Sequence, residues 1–244
     1  MLIDAHQHLG DCRVFDLDVP EETVLAAAEK HGLDHVLVMP FPGAGDAAAV
    51  HDRIAALTES TAGQVRGIVC LNPHQDRAAY AAEAERCVTK LGFVALKLHT
   101  LGHAVEPASA DGMAVFAEAA RLGVPVIVHT GGAGEPFASP SHVLPAATQW
   151  PQLPIVLAHA GMGVAAREAA LVAGVCPNVY LETSWCGTLD TAMLARTIGP
   201  HRMMLGSDGA RNLGVEIAKH QALDLSRGDM SLCLGGTAAK VFRL

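Results

Sequence analysis

Residues 125–129 read Pro-Val-Ile-Val-His, a short and continuously apolar run that ends in a histidine. Runs of this kind, rich in β-branched residues, are typical of parallel strands that are buried on both faces. Similar runs recur roughly every 30 residues, which is the length of one strand–helix–strand unit. The predicted strands span residues 1–8, 35–41, 65–72, 94–99, 125–129, 154–159, 179–184 and 203–208.

Helical patterns lie between most of these strands. Pro20, followed by two glutamates, begins one helix and Gly32 follows its end, while Asp76 is placed to cap another helix. Further helices are predicted over residues 111–122, 165–173 and 190–198. Eight strands alternating with helices predict an α/β fold of one domain, a (β/α)8 TIM barrel over residues 1–244. An open, doubly wound sheet is the alternative.

The composition excludes several classes of protein. Lys and Arg number 17 against 25 Asp and Glu, a net charge of −8 that disfavours binding to nucleic-acid phosphates. We expect no membrane span, because no uninterrupted apolar run reaches about 18 residues, and no secretion signal. The 6 cysteines are scattered without a C-x-x-C pair, as in the reduced core of a cytoplasmic protein.

Polar side chains stand where the predicted strands end, the face that holds the active site in parallel barrels. His6 and His8 end the first strand and share one side of it, because strand side chains alternate. His129, His159 and Asp208 end the fifth, sixth and eighth strands. Each residue alone could be a polar strand end, a core histidine or a helix cap. Together they predict a site for one or two divalent ions, Zn²⁺ first and Fe²⁺ or Mn²⁺ as alternatives.

Short motifs follow these strand ends in order. They are IDAHQH (3–8), ALKLH (95–99), VHTG (128–131), LAHAG (157–161), LGSD (205–208) and GGTAAKVF (235–242). The ordered set resembles the amidohydrolase superfamily, and most closely the amidohydrolase-2 group, which includes aminocarboxymuconate-semialdehyde decarboxylase and related lactonases and hydrolases. The resemblance implies that His6, His8, His129 and Asp208 bind the metal. His159 would bind a second metal or act as a catalytic group.

The chain departs from the family pattern in two places. Thr237 stands where the family usually has an asparagine, which is a minor change. Residues 209–211, Gly-Ala-Arg, stand where family members often have an aromatic residue or a proline. Because that loop borders the substrate, the identity of the substrate stays open.

Three further residues are assigned to substrate binding. Lys97 has alternatives: two-metal members of the superfamily carboxylate a fourth-strand lysine to bridge the ions, whereas Lys97 could also hold a substrate carboxylate or pair with a nearby acid. His99 is a second polar group in the site or the start of a loop. Trp185 is placed to floor the substrate pocket, with simple packing as its alternative. Glu182 on the seventh strand is interpreted as a structural hydrogen-bonding group.

The expected activity is metal-assisted hydrolysis of a small amide, ester or lactone. The metal would lower the pKa of its bound water toward about 7. Asp208 would act as general base and then acid, and His159 would polarise the carbonyl. The alternative is non-oxidative decarboxylation of a small carboxylic acid at the same site. A TatD-like nuclease and a non-catalytic barrel are weaker competitors. We expect a small-molecule substrate and a homodimer, the commonest assembly.

Overall fold

The computed structural model describes residues 1–132 and 136–244. The strands are β1 (Ile3–Cys12), β2 (Leu17–Val19), β3 (His35–Pro40), β4 (Val65–Cys70), β5 (Ala95–Leu98), β6 (Val126–His129), β7 (Ile155–Ala158), β8 (Val179–Glu182) and β9 (Met203–Met204). The helices are α1 (Glu21–His31), α2 (Ala47–Ser60), α3 (Arg77–Thr89), α4 (Thr100–His103), α5 (Ala110–Leu122), α6 (Leu144–Gln149), α7 (Ala166–Val175), α8 (Thr188–Ile198), α9 (Leu213–Gln221), α10 (Arg227–Ser231) and α11 (Thr237–Phe242). Among the described helices, none is both long and apolar enough to span a membrane.

The strands form one curled sheet in the order β2-β1-β3-β4-β5-β6-β7-β8-β9, and every pair except β1–β2 is parallel. Two backbone hydrogen bonds join the ends of the parallel part. The Ala5 N–H donates to the Leu205 carbonyl at 3.0 Å, and the Asp208 N–H donates to the His6 carbonyl at 2.8 Å. The parallel strands therefore close into a TIM barrel, as the sequence predicts.

The first strand is longer than predicted. It continues past His8 to Cys12, where β2 pairs back onto it in an antiparallel hairpin. The hairpin places Phe15 and Leu17 over the mouth of the barrel. The last strand is shorter, because only Met203–Met204 forms a regular ladder, and the following residues reach β1 through the closing bonds.

The helices begin and end close to the predicted positions. The Asp76 side chain accepts a hydrogen bond from the Ala79 N–H and so caps α3. Gly32 and Gly123 end α1 and α5 in left-handed backbone conformations, with φ of 66° and 69°, which glycine adopts without strain. The sequence prediction leaves out α2, which Asp46 caps by accepting from the Ala49 N–H.

The core has two layers, as a barrel requires. The larger layer lies between the sheet and the surrounding helices. The inner layer fills the barrel with alternate residues of the strands, among them Ile3, Ala5 and Ile127. Helix α11 contributes Val241 and Phe242 to this inner layer, so it closes the end of the barrel opposite the mouth.

A β-bulge in β1 decides which side chains enter the barrel mouth. The pairing of β1 with β3 shifts register between Asp4 and Gln7. Strict alternation from Ile3 and Ala5 would place Gln7 inside, but the extra residue of a bulge reverses the phase. As a result His6 and His8 point inward, whereas Gln7 donates to the Asp4 carboxylate at 2.7 Å.

Candidate metal centre

The predicted ligand residues meet at the carboxyl ends of the barrel strands. His6 and His8 come from β1, His129 from the end of β6, His159 from the residue after β7, and Asp208 from the segment after β9. The four histidines are buried, and the Asp208 side chain is 24% exposed. Five residues from four segments that are far apart in the sequence therefore share one small volume.

Three of their atoms converge on one point. His6 Nε2 lies 3.3 Å from His8 Nε2. Asp208 Oδ1 lies 3.2 Å from His6 Nε2 and 3.4 Å from His8 Nε2. Ligand atoms about 2.0–2.2 Å from one ion lie about 3.0–3.5 Å apart in tetrahedral or octahedral geometry. The spacing of these three atoms fits a single divalent ion.

The hydrogen bonds of His6 and His8 fix their tautomers. His6 Nδ1 lies 2.9 Å from Glu182 Oε2, and His8 Nδ1 lies 3.2 Å from the Pro40 carbonyl oxygen. Both partners only accept, so both Nδ1 atoms carry the proton and donate it. Each Nε2 atom therefore turns an unprotonated lone pair toward the centre, which is the state that a metal needs.

His159 is oriented through a hydroxyl group. The Ser184 Oγ–H donates to Glu182 Oε2 at 3.0 Å, so the hydroxyl oxygen accepts from His159 Nδ1 at 2.7 Å. The Nε2 atom of His159 is thereby left as a lone pair. Glu182 is a hub, because one buried carboxylate orients His6 directly and His159 through Ser184.

His129 has free nitrogens within the described part of the chain. Both ring nitrogens are buried, and neither has a hydrogen-bond partner there. Its ring stands edge-on to His159, with centroids 4.8 Å apart, and stacks on His99 at 4.6 Å. An unpartnered buried polar atom is costly unless something else binds it. The free nitrogens of His129 fit its predicted role as a metal ligand.

His99 has the opposite tautomer to His6 and His8. Its Nδ1 accepts from the Gly102 N–H at 3.1 Å, so the neutral ring carries its proton on Nε2. Burial, with a smaller contribution from His129, holds the pKa of His99 well below its ordinary value, so the ring is neutral. His99 lines the cavity described below and offers it a donor. A donor at this position would suit substrate binding, and the assignment of His99 to that role stays a prediction.

Lys97 lies beneath the histidines. It is fully buried, and its Nζ atom is 3.0 Å from His6 Nε2. An ammonium there would repel a dication, and burial lowers the pKa of Lys97 from its ordinary value. The residues that line the cavity include His8 and His99 but not Lys97. Its assignment to substrate binding stays a prediction.

The two carboxylate oxygens of Asp208 have different partners. Oδ1 faces His6 and His8, whereas Oδ2 accepts from the indole N–H of Trp185 at 2.8 Å. Burial opposes ionisation of this carboxyl, but the positive charge that the rings of His159 and His6 carry when protonated outweighs burial and holds the pKa of Asp208 well below its ordinary value. Asp208 is therefore a carboxylate at neutral pH.

A cavity of about 590 Å³ opens above these residues. Its floor includes His8, His99, His129 and Asp208. Its walls are largely apolar and come from Phe15, Leu17, Phe41, Leu101, Met162 and Trp185. Asp18 and Arg211 add charges to the lining. The cavity has the size of a small-molecule site, with polar groups gathered at its floor.

Several of these features have no clear signal in the sequence. Phe41 follows β3 and stacks on His8, with ring centroids 4.6 Å apart. Glu216 on α9 accepts from the Trp185 backbone N–H at 3.0 Å, a contact that no residue pattern indicates. The hairpin residue Phe15 also reaches the cavity from a segment with no predicted structure.

Several solved structures are similar to this chain over its whole length. A 2,6-dihydroxybenzoate decarboxylase from Rhizobium matches with a TM-score of 0.79 and 17% identity, covering 99% of this chain and 98% of that one. A dihydroxybenzoic acid decarboxylase from Polaromonas, solved with manganese and 2-nitroresorcinol, matches with a TM-score of 0.77 and 20% identity, covering 100% and 97%. A 5-carboxyvanillate decarboxylase from Novosphingobium aromaticivorans, also with manganese, gives 0.79 and 16%, covering 100% and 96%.

At these identities the likeness to solved structures establishes the barrel fold. A search of curated proteins finds no match. The family itself is established by a sequence-family model described as Amidohydrolase, which matches residues 3–244. That span includes every strand end from His6 to Asp208 and the closing helix α11, so the chain belongs to the Amidohydrolase family.

Proposed function

We propose that this chain is a divalent-metal-dependent decarboxylase that releases CO₂, without oxidation, from a small planar carboxylic acid. The observation that carries the proposal is the cavity, whose apolar and aromatic walls stand over a floor of convergent donor atoms. The decarboxylases with similar structures add support, two of them with manganese bound. Decarboxylation, the alternative expected from the sequence, is therefore better supported than hydrolysis.

The metal would be held by His6, His8 and Asp208, and the neighbouring rings of His159 and His129 are further candidate ligands. The donor set of imidazole nitrogens and a carboxylate suits Mn²⁺, Fe²⁺ or Zn²⁺. When bound, the ion would act as a Lewis acid toward an oxygen atom of the substrate. Because two of the similar structures contain manganese, Mn²⁺ is the first ion to test, ahead of the Zn²⁺ that we expect from the sequence.

The residues of the cavity would orient the acid and exclude water. Phe41 and Phe15 would supply aromatic surface against which a planar molecule packs. The Nε2–H of His99 would donate to a substrate oxygen and so fix the carboxylate over the floor. Low polarity around the carboxylate favours the departure of neutral CO₂, because the negative charge moves from the compact carboxylate to the larger ring.

The proton balance assigns a role to Asp208. The bond between the ring carbon and the carboxyl carbon breaks, its electron pair stays on the ring carbon, and that carbon then takes a proton. Because Asp208 is ionised in the free protein, it must first take a proton from the substrate, for example from a hydroxyl group beside the carboxylate. It then delivers that proton to the ring carbon as a general acid, and the product leaves as a phenolate that takes one proton from water, so the net reaction consumes one proton.

Hydrolysis of an ester, lactone or amide is the second candidate. The same donor set and the same carboxylate could remove a proton from water, which is the role first expected for Asp208. Membership of the Amidohydrolase family supports hydrolysis as a candidate. The two reactions differ in their products, since decarboxylation releases CO₂ and hydrolysis releases an alcohol or an amine.

The test uses protein loaded with Mn²⁺ and, separately, with Zn²⁺. It is offered 2,6-dihydroxybenzoate, 5-carboxyvanillate and simple hydroxybenzoates, beside a panel of esters, lactones and amides. We expect CO₂ release from one of the acids and, in D₂O, deuterium at the carbon that lost it. Asp208→Asn should abolish both, whereas Asp224→Asn, at an exposed acid, should not. Hydrolysis of an ester or lactone without any CO₂ release would replace the proposal with the second candidate.

A further inference from the structure

We propose that Trp185 is a positioning residue for the metal centre. Its indole N–H donates a hydrogen bond to Oδ2 of Asp208. This bond orients the carboxylate so that Oδ1 faces the metal site. This inference rests on the proposed metal site and not on the choice between decarboxylation and hydrolysis. The sequence assigns Trp185 to the floor of the substrate pocket, and its ring does line the cavity. Its polar edge supplies a second role.

The first support is the division of the Asp208 carboxylate. One oxygen lies 3.2 Å from His6 Nε2, and the other accepts from Trp185 Nε1 at 2.8 Å. A carboxylate without the second contact could rotate and offer either oxygen to the histidines. A group that hydrogen-bonds to the non-coordinating atom of a metal-binding side chain commonly fixes the orientation of that side chain. It also tunes the affinity of the site for the ion.

The second support is the backbone of the two residues. Trp185 has φ of 63° and Asp208 has φ of 59°. Both values lie in the left-handed region, which residues with a Cβ atom disfavour. Such conformations persist where the surrounding structure holds them, and they gather at functional sites. The indole and the carboxylate therefore meet because two neighbouring strand-end loops are held in uncommon conformations.

The third support is a buried clamp that holds both loops. Oε1 of Glu216 accepts from the Trp185 backbone N–H at 3.0 Å and from Asn212 Nδ2 at 3.1 Å. The same Asn212 nitrogen donates to the Ser207 carbonyl at 3.0 Å, next to Asp208. One carboxylate on α9 thus ties the loop that bears Trp185 to the loop that bears Asp208.

Lys219 completes the clamp. Its Nζ atom donates to the Thr183 carbonyl at 2.6 Å and to the Cys186 carbonyl at 3.1 Å, on both sides of Trp185, and it pairs with Glu216. Glu216 and Lys219 are 2% and 8% exposed, so this ion pair lies out of solvent. Trp185 itself is 52% exposed, and packing alone would not hold its ring in place.

The hydrogen bond can be tested directly, without metal or substrate. The chain has 2 tryptophans, and Trp150 lines a separate cavity with Pro151 and Arg243. Protein labelled with ¹⁵N at the indole therefore gives two N–H signals, which Trp150→Phe assigns. We expect Asp208→Ala to move the Trp185 signal upfield, because the charged acceptor is lost, and Asp224→Asn to leave it in place. An unmoved Trp185 signal in Asp208→Ala would overturn the proposal.

The consequence for the centre is tested by metal affinity. Trp185→Phe keeps an aromatic ring but lacks the N–H. We expect its Mn²⁺ affinity, measured by calorimetric titration, to fall by about 10-fold or more, the usual effect of losing a group that orients a ligand. Trp150→Phe, the matched control, should bind Mn²⁺ as the wild type does. Equal affinity in Trp185→Phe and wild type would reduce Trp185 to a packing residue and end the proposal.

Failure of this inference and failure of the proposed function are distinguishable. If Trp185→Phe does not fold, the indole signals of the wild type and of Asp208→Ala decide alone. If no acid is decarboxylated, the affinity and the indole signals still report on the Trp185–Asp208 bond. If Trp185→Phe binds Mn²⁺ as tightly as the wild type and CO₂ is still released, the proposed function stands and the positioning role of Trp185 is wrong.

Discussion

Among the residues that the structure describes, groups of three possible metal ligands gather in two places, the barrel mouth and the space between α2 and α3, and of these two the mouth has free donor atoms. At the mouth, His6, His8 and Asp208 bring unprotonated atoms to one point. The second cluster, His51, Glu83 and Cys87, lies between α2 and α3 with equally short spacing. By residue types and distances alone, both clusters could hold an ion.

The hydrogen bonds separate the two clusters. His51 Nδ1 donates to Glu83 Oε1 at 2.9 Å, and His51 Nε2 accepts from the Cys70 backbone N–H at 3.2 Å. Glu83 also accepts two bonds from Arg86, at 2.7 and 2.8 Å. The imidazole of His51 and the carboxylate of Glu83 are therefore already engaged in hydrogen bonds within the protein. Free lone pairs distinguish a metal site from a structural network, and the number of ligand-type residues does not.

The largest expected effect is on the mouth cluster. His6→Ala/His8→Ala removes two of the three convergent donors, so bound metal should fall to background in elemental analysis. Turnover should fall by about 1,000-fold or more, because several kcal/mol of Lewis-acid stabilisation is lost. His51→Ala, the matched control in the second cluster, should keep its metal. If the double variant retained metal, or if His51→Ala lost it, the mouth cluster would not be the metal site.

Glu182→Gln should have the next largest effect. Glu182 accepts at both oxygens, from His6 Nδ1 and Ser184 Oγ at Oε2 and from the Ser184 backbone N–H at Oε1. Glutamine has one acceptor oxygen, so its NH₂ group must face a donor at one of the two positions. The tautomers of His6 and His159 are then no longer fixed, and metal affinity should fall by about 10- to 100-fold. Calorimetric titration with Mn²⁺ measures the change. The role of Glu182 as a hub fails if the affinity is unchanged in a folded variant.

His51→Ala should lower stability and leave the metal untouched. It deprives the buried Cys70 N–H of its acceptor and leaves a cavity between α2 and α3. We expect a loss of about 3 kcal/mol in the free energy of unfolding, from an unmet hydrogen bond and lost packing. Urea denaturation measures it. A loss below about 0.5 kcal/mol, the range of a neutral surface change, would contradict the structural role.

The smallest effect is a dependence of stability on pH. The hydrogen bonds from Arg86, opposed by partial burial and helped by His51, lower the pKa of Glu83 from its ordinary value of 4.5 to about 2. In this window the unfolded chain binds a proton that the folded chain does not, so the Glu83 contribution is complete above pH 4.5 and is lost as pH falls toward 2. Melting temperatures of wild type and Glu83→Gln should therefore converge below about pH 4.5. A constant difference down to about pH 3, well inside this window, would refute the assignment.

The sequence predicts the barrel and the members of the mouth cluster well, for one physical reason. In a parallel barrel all strands end on the same face, so polar residues at strand ends, such as His129 and His159, must meet. The tautomers of His8 and His99 depend on backbone atoms of other segments, which no residue pattern encodes. The contact of Trp185 with Asp208 depends on two left-handed residues, and neither is a glycine.

The reaction is harder to predict than the site. Imidazoles and a carboxylate around an ion serve both hydrolysis and decarboxylation, so residue types at strand ends favour neither. The distinction lies in the cavity walls, and Phe15 and Phe41 come from segments outside the motifs. The expectation of Zn²⁺ has the same weakness, because the donor set accepts several divalent ions.

The bulge in β1 has a consequence for how such an enzyme can change. The apolar residues before it and the histidines after it occupy opposite parities of one strand, joined by a single additional peptide unit. Removing that unit would preserve the barrel's filling and send both imidazoles to the outer side. Within β1, one set of positions fills the barrel and another carries the histidines, and the bulge separates the two. A single-codon deletion at the bulge would therefore remove the histidines from the site while leaving the strand in place.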